Sequence, residues 1–144
     1  MSELKRMGAV FLARGARPSW SPDAAHIVYV SAPESSLRIL DLATGKIREP
    51  GETGRDPVWS PKPGRWIAYT STRQSAKYMG NVPSGKPFTD PPQGDEEIRL
   101  IDSAGGAPQK MAEGYAPAWS ADGKTLYFVC GKDQKVKSVE VKAD

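Results

Sequence analysis

The residues that most often carry out chemistry are scarce in this sequence. One histidine and one cysteine occur among 144 residues, so a single chain cannot build a histidine-based metal cluster, a multi-cysteine zinc site or an internal disulfide. The sequence contains neither a Gly-x-Ser-x-Gly nucleophile elbow nor a glycine-rich phosphate loop. We therefore predict no catalytic residue, no metal site and no cofactor.

The side chains best suited to recognition are two arginines, an aspartate and a tyrosine. Arg17, Arg55, Asp56 and Tyr115 each stand at or just before one copy of a phrase that occurs three times. Arginine and tyrosine are favoured anchors in binding interfaces. We predict that these four residues form a binding site for a peptide, a protein or a small polar ligand. His26 follows a turn, where we expect a solvent-facing side chain.

The repeated phrase contains Pro-x-Trp-Ser, and a β-rich run and then a further strand-like run follow it. Its three copies span residues 17–23, 56–62 and 116–122. The proline is predicted to start an innermost strand, where it removes no ladder hydrogen bond, and the tryptophan to fill the wedge between neighbouring sheets. Asp41 and Asp102, beside glycine-bearing turns, are expected to accept backbone N–H groups. A glycine-bearing turn and a short last run follow in the first two copies, so the complete repeat predicts four short strands in succession.

The spacing of the copies agrees with four-stranded units. Trp20 and Trp59 are 39 residues apart, whereas Trp59 and Trp119 are 60 residues apart. Blades of four-stranded propellers repeat every ~40–45 residues. The second copy therefore contains an insertion, which we place at residues 74–95, between its second and third strands.

The insertion at 74–95 is rich in proline and glycine, so it predicts an irregular loop. In propellers such a loop opens on the face where the innermost strands begin, and we expect it to overhang the predicted binding site. Long irregular loops on rigid scaffolds often carry recognition. The neighbouring pair Glu96 and Glu97 is interpreted as a solvated strand start. Candidate contact residues in and beside the insertion are Arg73, Lys77, Tyr78, Lys86 and Phe88.

The phrases Pro-x-Trp-Ser-Pro-Asp, Ile-x-Tyr-x-Ser and Leu-Asp-Leu-x-x-Gly resemble the repeat of TolB-type β-propellers, which are related to WD-repeat proteins. The resemblance covers nearly the whole chain apart from 74–95. It implies an all-β fold with three four-stranded blades in a single unit, residues 1–144. Blade 1 would span about 16–54, blade 2 about 55–114 and blade 3 about 115–144.

Three blades do not close a ring, because propellers have about four to eight. The third copy lacks an outermost strand, and residues 8–15 form a strand-like run without a blade of their own. We predict that two chains exchange this run, so that a homodimer forms a six-bladed ring, the blade number common among TolB-type propellers. A nine-bladed trimer and a fragment of a longer propeller remain the alternatives.

The resemblance and the scarcity of catalytic residues predict a non-enzymatic binding or scaffold protein, which assembles into a closed ring and recognises its ligand at the mouth of the propeller channel. The alternatives are a propeller-hosted lyase or hydrolase, and a fragment with no independent activity.

The charged residues that give the net charge of +3 are scattered along the chain, so we expect no nucleic-acid partner. No run approaches the ~18 apolar residues of a membrane span, so no membrane insertion is expected. The apolar run 7–13 is closed by Arg14 and gives no convincing signal peptide, which favours the cytoplasm, although TolB-like relatives are often periplasmic.

Overall fold

The computed structural model describes residues 15–31, 35–71 and 96–142. These residues form eleven β-strands. The strands are β1 (Ala16–Trp20), β2 (His26–Val30), β3 (Leu37–Asp41), β4 (Ile47–Arg48), β5 (Arg55–Trp59), β6 (Trp66–Ser71), β7 (Glu97–Asp102), β8 (Gln109–Glu113), β9 (Tyr115–Trp119), β10 (Thr125–Val129) and β11 (Val136–Glu140).

The strands pair with their neighbours in the chain and form three antiparallel sheets. Sheet 1 has the order β1-β2-β3-β4, sheet 2 the order β5-β6-β7-β8, and sheet 3 the order β9-β10-β11. The predicted all-β repeat fold is therefore confirmed, with two four-stranded sheets and, within the described residues, one three-stranded sheet. Of the predicted exchanged run 8–15, all but Gly15 lies outside the described residues, as does the insertion 74–95.

The first strand of each sheet contains the repeated proline in its third position, not at its start as predicted. The preceding residue has a left-handed φ in all three copies: 57° at Arg17, 53° at Asp56 and 55° at Ala116. The pairing of each first strand with the second shifts register at this point. The proline therefore lies at a bulge, where its missing N–H removes no ladder hydrogen bond.

The turns at the other end of the sheets are held by short polar side chains. In the first sheet the Ser21 hydroxyl donates to Asp23 over 2.6 Å, and in the third the Ser120 hydroxyl donates to Asp122 over 2.6 Å. These hydrogen bonds hold the pKa of both carboxyl groups below the usual value. The predicted role of Asp41 is confirmed, because its Oδ1 atom accepts the Ala43 N–H over 2.9 Å.

The turn after β7 is built in the same way as the turn after β3. Asp102 Oδ1 accepts the Ala104 N–H over 2.9 Å, and its second oxygen pairs with Arg65 Nε at 3.1 Å. The backbone hydrogen bond and the arginine both lower the pKa of this carboxyl group. The expectation for Asp102 is therefore confirmed as well.

Two apolar clusters join the sheets, one on each face of sheet 2. Alternate side chains of a strand point to opposite faces, so Ile67 and Tyr69 face sheet 1 while Ala68 faces sheet 3. The first cluster contains Val28, Leu37, Ile39, Ile67, Tyr69 and Ile101. The second contains Ala68, Ile98, Leu100, Leu126, Phe128 and Val141. Sheet 2 is thus covered on both faces.

The repeated tryptophan packs towards the preceding sheet. Trp59 lies against the first cluster, and Trp119 lies against the second, where its indole N–H donates to the Val58 carbonyl oxygen over 3.0 Å. Trp20, at the same position of sheet 1, faces away from sheet 2 and is 58% exposed. The predicted wedge role is therefore confirmed for two of the three tryptophans.

Candidate ligand-binding site

The four residues predicted to bind a ligand lie at one end of the three sheets. Each stands in the first two residues of β1, β5 or β9, and the register places this end beside the loops between the second and third strands. The structure brings Arg17, Arg55, Asp56 and Tyr115 into one connected cluster, which we call the rim cluster. Its members come from all three sheets.

Asp56 connects sheet 1 to sheet 2 at the rim. Its Oδ1 atom lies 2.9 Å from Arg17 Nη1, and its Oδ2 atom lies 3.4 Å from Arg55 Nε. The Arg17 side chain is 66% exposed, so this ion pair contributes little to stability. Because it is exposed, the Arg17 guanidinium is available to a ligand at the end of the sheets.

Arg55 connects sheet 2 to sheet 3. Its guanidinium carbon lies 5.9 Å from the centre of the Tyr115 ring, a distance typical of a cation–π contact. It also forms an ion pair with Glu96. The Tyr115 hydroxyl donates to Gln134 Oε1 over 2.9 Å. Arg55 is therefore fixed by three neighbours and presents a preorganised charge.

Glu96 and Gln134 belong to this site, and the sequence reasoning missed them. Both lie in the loop between the second and third strands of their sheet, the loop that the propeller arrangement places beside the first strand. Glu96 and Glu97 had been interpreted as solvated, which is wrong, because they are 9% and 2% exposed. An alignment of the loops between the second and third strands of the three copies would have placed Glu96 near Arg55 and Gln134 near Tyr115.

A glycine brings each first strand close to its neighbour at this end. A Cβ atom on Gly54 would meet the Thr70 carbonyl oxygen and come within 2.9 Å of the Tyr69 ring. A Cβ atom on Gly114 would meet the Val129 carbonyl oxygen and come within 2.7 Å of the Phe128 ring. The pattern Gly-x-x-Pro occurs in all three copies at the same spacing, and it fixes where the rim residues begin.

A second polar cluster lies behind the rim, between sheets 1 and 2. Arg99 lies between two carboxylates, with Nε 2.6 Å from Glu97 and Nη1 3.2 Å from Glu52. The Tyr69 hydroxyl donates to the same Glu52 carboxylate. Burial and that neighbouring carboxylate raise the pKa of the Tyr69 hydroxyl, and Glu97 raises the pKa of Arg99. These groups fix the two strands that flank the range 72–95.

The described residues contain no group of three or more histidine, cysteine, aspartate or glutamate side chains that could hold a metal ion. Within the same ranges, no helix has the length and apolar character of a membrane span. The candidate contact residues Arg73, Lys77, Tyr78, Lys86 and Phe88 lie outside the described ranges.

Comparison with known proteins supports the fold. The "Protein TolB homolog" of Chlorobium chlorochromatii (strain CaD3) is 28% identical over 123 residues, which are 80% of this chain and 23% of that protein. The structure of a putative TolB from Agrobacterium tumefaciens matches with a TM-score of 0.58 and 14% identity, over 88% of this chain and 50% of that chain. No protein-family model matches the sequence.

TolB from Acinetobacter baumannii also matches, with a TM-score of 0.56 and 17% identity, over 91% of this chain and 33% of that chain. The chain therefore spans between about a quarter and a half of the length of these relatives. Further solved structures with this fold include peptidases and a lyase.

The successive antiparallel sheets, each opened by the same tryptophan-bearing strand, define a propeller-like repeat protein. The sequence relative and both solved structures reported above are TolB proteins or TolB homologues. The chain is thus similar in sequence and fold to TolB-type propeller-like repeat proteins.

Proposed function

We propose that the protein is a non-enzymatic binding or scaffold propeller, which recognises a peptide, a protein or a small polar ligand at the rim cluster. The observation that supports this most strongly is the connection of Arg17, Arg55, Asp56 and Tyr115 across all three sheets. A site assembled from several rigid strands holds its side chains in place before a ligand arrives, which lowers the entropic cost of binding.

We further propose that two copies of the chain complete a six-sheet ring. Four large apolar side chains of the described residues are well exposed: Trp20, Ile47, Tyr127 and Val136. Trp20 lies on the outward face of sheet 1, whereas Tyr127 and Val136 lie on the outward face of sheet 3. Such faces attract a partner, because removing apolar surface from water is favourable by roughly 25 cal/mol per Å².

The exposed residues of the two outward faces occupy repeat positions that contact a neighbouring sheet in the other copies. In the repeat, Tyr127 and Val136 occupy the positions at which Ala68 and Ile98 face the following sheet. Trp20 occupies the position at which Trp119 faces the preceding sheet. Sheet 3 of one copy therefore fits sheet 1 of a second copy, and the head-to-tail contact closes after two copies if each sheet turns the chain by one sixth of a circle.

The free edge of β11 provides a place for the exchanged run. The third strands of sheets 1 and 2 both pair with an outer strand, β4 and β8, but β11 has no such neighbour within the described residues. An unpaired edge is a template for a strand of another chain. We propose that residues 8–15 of the second copy pair with β11.

Sedimentation analysis of the purified chain tests the ring. We expect a mass of twice 15.6 kDa, and we expect Trp20→Glu and Val136→Glu to shift the protein towards the monomer while the circular dichroism spectrum stays that of a β-protein. Ala43→Glu, in an exposed turn, is the matched control and leaves the dimer intact. A folded monomer at micromolar concentration would overturn the dimer. A trimer would overturn the six-sheet ring and favour nine sheets.

A peptide array tests the rim separately. We expect the wild-type chain to bind a subset of array peptides, and Arg55→Ala and Tyr115→Ala to lose that subset. Lys46→Ala, at the opposite end of sheet 1, removes a cation from a different surface and should keep it. If the rim variants bind the same peptides as the wild type, the rim site is refuted, whatever the oligomeric state.

A propeller-hosted enzyme is the second candidate, because peptidases and a lyase share this fold. Acid–base chemistry at the rim would depend on Asp56 or Glu96, since these are the carboxylates of the cluster. Each is already engaged by an arginine in an ion pair, so a substrate would have to displace that arginine to reach the carboxylate. The paired state of both carboxylates therefore favours binding over catalysis.

A further inference from the structure

The far end of the sheets contains a cleft of about 310 Å³ between sheets 1 and 2. Sheet 1 contributes the turn before β2 and the outer strand β4, while sheet 2 contributes the end of β5 and the turns before β6 and β8. The lining includes Asp23, His26, Arg48, Trp59, Lys62 and Ser103. Since the rim lies at the opposite end of the same strands, the two sites are separate.

Cations outnumber available anions in this cleft. Arg48 and Lys62 line it, and an adjoining hollow of about 460 Å³ shares His26 and Arg48 and adds Lys46 and Asp41. Within the described ranges, neither lysine side chain forms an ion pair. Arg48 donates to the Ser103 carbonyl oxygen, so its guanidinium is held across the cleft and keeps further N–H groups to donate.

The carboxylates of the cleft are already engaged by their own turns. Asp23 accepts the Ser21 hydroxyl over 2.6 Å and the Ala25 N–H over 3.0 Å. Asp41 accepts two backbone N–H groups and has His26 Nε2 at 3.6 Å. Three cations, Lys46, Arg48 and Lys62, stand against these two carboxylates, so the cleft and the adjoining hollow together keep an excess of positive charge.

An aromatic pair forms part of the wall. The Trp59 and His26 ring centres are 6.1 Å apart, with a tilt of 34°. The Trp59 indole N–H donates to the Gly64 carbonyl oxygen over 2.8 Å, so the contribution of this side chain to the cleft is apolar ring surface. His26 is half-buried against this ring, which corrects the expectation of a solvent-facing side chain.

The cleft between sheets 2 and 3 provides an internal comparison. It is smaller, about 200 Å³, and Arg65 and Trp66 line it. There the Arg65 guanidinium carbon lies 4.5 Å from the centre of the Trp66 ring, and Arg65 also pairs with Asp102. Arg65 and Trp66 thus contact each other in this second cleft, which Lys62, Lys124 and Lys142 also line. In the first cleft Ala25 and His26 take the positions of Arg65 and Trp66, and Arg48, which lines the first cleft and not the second, is available there.

We propose that the cleft between sheets 1 and 2 binds a small aromatic acid. Its anionic group, a carboxylate or a phosphate, lies between Arg48 and Lys62, because charge-assisted hydrogen bonds to an anion are stronger than neutral ones. Its ring lies against Trp59 and His26, which offer a flat apolar surface. This proposal is independent of the ring closure and of the rim site.

Ligand-observed NMR on the full chain tests this inference with four probes: benzoate, phenyl phosphate, inorganic phosphate and benzyl alcohol. We expect benzoate or phenyl phosphate to bind saturably, and the comparison of the two decides between a carboxylate and a phosphate site. Inorganic phosphate lacks the ring and benzyl alcohol lacks the charge, so both should bind about tenfold more weakly or worse. Equal binding of either control probe, or no saturable binding of any probe, overturns the proposal.

Two variants test the binding residues. Lys62→Gln removes an exposed cation that lines both clefts and makes no ion pair in the described part of the chain, so we expect normal folding and about a tenfold loss of affinity for the acid. Arg48→Gln changes the first cleft and not the second, and it should weaken binding at least as much. Arg65→Gln, in the neighbouring cleft, is the control and should have no effect. If Arg65→Gln weakens binding as much as Arg48→Gln, the acid lies in the neighbouring cleft or is attracted by general surface charge, and the site is refuted.

Discussion

The same positions of the repeat lie in different surroundings in different sheets. On sheet 2 a neighbouring sheet covers them, whereas no sheet of the described chain covers the outward faces of sheets 1 and 3. Ile98 is completely buried between sheets 2 and 3, whereas Val136, at the same position of sheet 3, is 72% exposed. Trp119 packs between sheets while Trp20 is largely exposed. The repeat therefore specifies an apolar side chain at these positions even where no sheet of the described chain covers it, as the proposed pairing with a second copy requires.

The largest expected difference in stability is between two alanine substitutions at the same repeat position, one on a covered face and one on an outward face. Ile98→Ala should lower the free energy of unfolding by about 2–5 kcal/mol, because it leaves a cavity between two sheets. Val136→Ala should change it by less than about 0.5 kcal/mol when the chain is dilute. Urea denaturation at low protein concentration measures both. Equal losses would remove the distinction between inner and outward faces.

The repeat also places a tyrosine at the same position of sheets 1 and 2, and the hydroxyl groups of these two tyrosines differ in their hydrogen bonds. Tyr69 donates to Glu52, and a hydrogen bond to a charged group contributes about 1.5–3 kcal/mol, so Tyr69→Phe should destabilise the fold by that amount. The buried Tyr29 hydroxyl, at the same position of sheet 1, has no hydrogen-bond partner among the described residues. Tyr29→Phe should be neutral or slightly stabilising. Thermal unfolding of both variants checks the pair, and the opposite ranking would contradict the assignment of Glu52 as the partner.

The smallest expected difference in stability is between substitutions of Trp119 and Trp20. Trp119→Phe keeps an aromatic ring but loses the N–H group that donates to Val58, so we expect a loss of about 1 kcal/mol. Trp20→Phe, on the outward face, should leave the stability of the dilute chain unchanged. Guanidinium denaturation followed by circular dichroism measures both. A loss at Trp20 as large as that at Trp119 would mean that Trp20 makes a stabilising contact within a single chain.

The strands could be predicted from the sequence, because the Pro-x-Trp-Ser phrase recurs and opens a four-stranded unit. The grouping of Arg17, Arg55, Asp56 and Tyr115 followed from the same periodicity. The left-handed backbone at Arg17 and Asp56 could not be predicted, since a residue before proline usually prefers an extended conformation. The repeat shows where strands begin but not how they bulge.

Apart from the tryptophans, long-range contacts of turn and loop residues were the part that the sequence did not reveal. Whether His26 faces water or the Trp59 ring depends on the angle and distance between two sheets, which local patterns do not determine. The pairing of Glu96 with Arg55, within sheet 2, joins residues 41 positions apart. Both contacts depend on how distant parts of the chain come together, and this explains why these charged and aromatic residues were interpreted as solvated.

The passage from the first sheet to the second also has a mechanical consequence. The Glu52 carbonyl oxygen accepts the Leu37 N–H, and the Gly54 N–H donates to the Ser35 carbonyl oxygen, while the Glu52 side chain holds Tyr69 and Arg99. This stretch is therefore bonded to both sheets through backbone and side-chain atoms. We expect the first two sheets to move together as one body when the molecule bends.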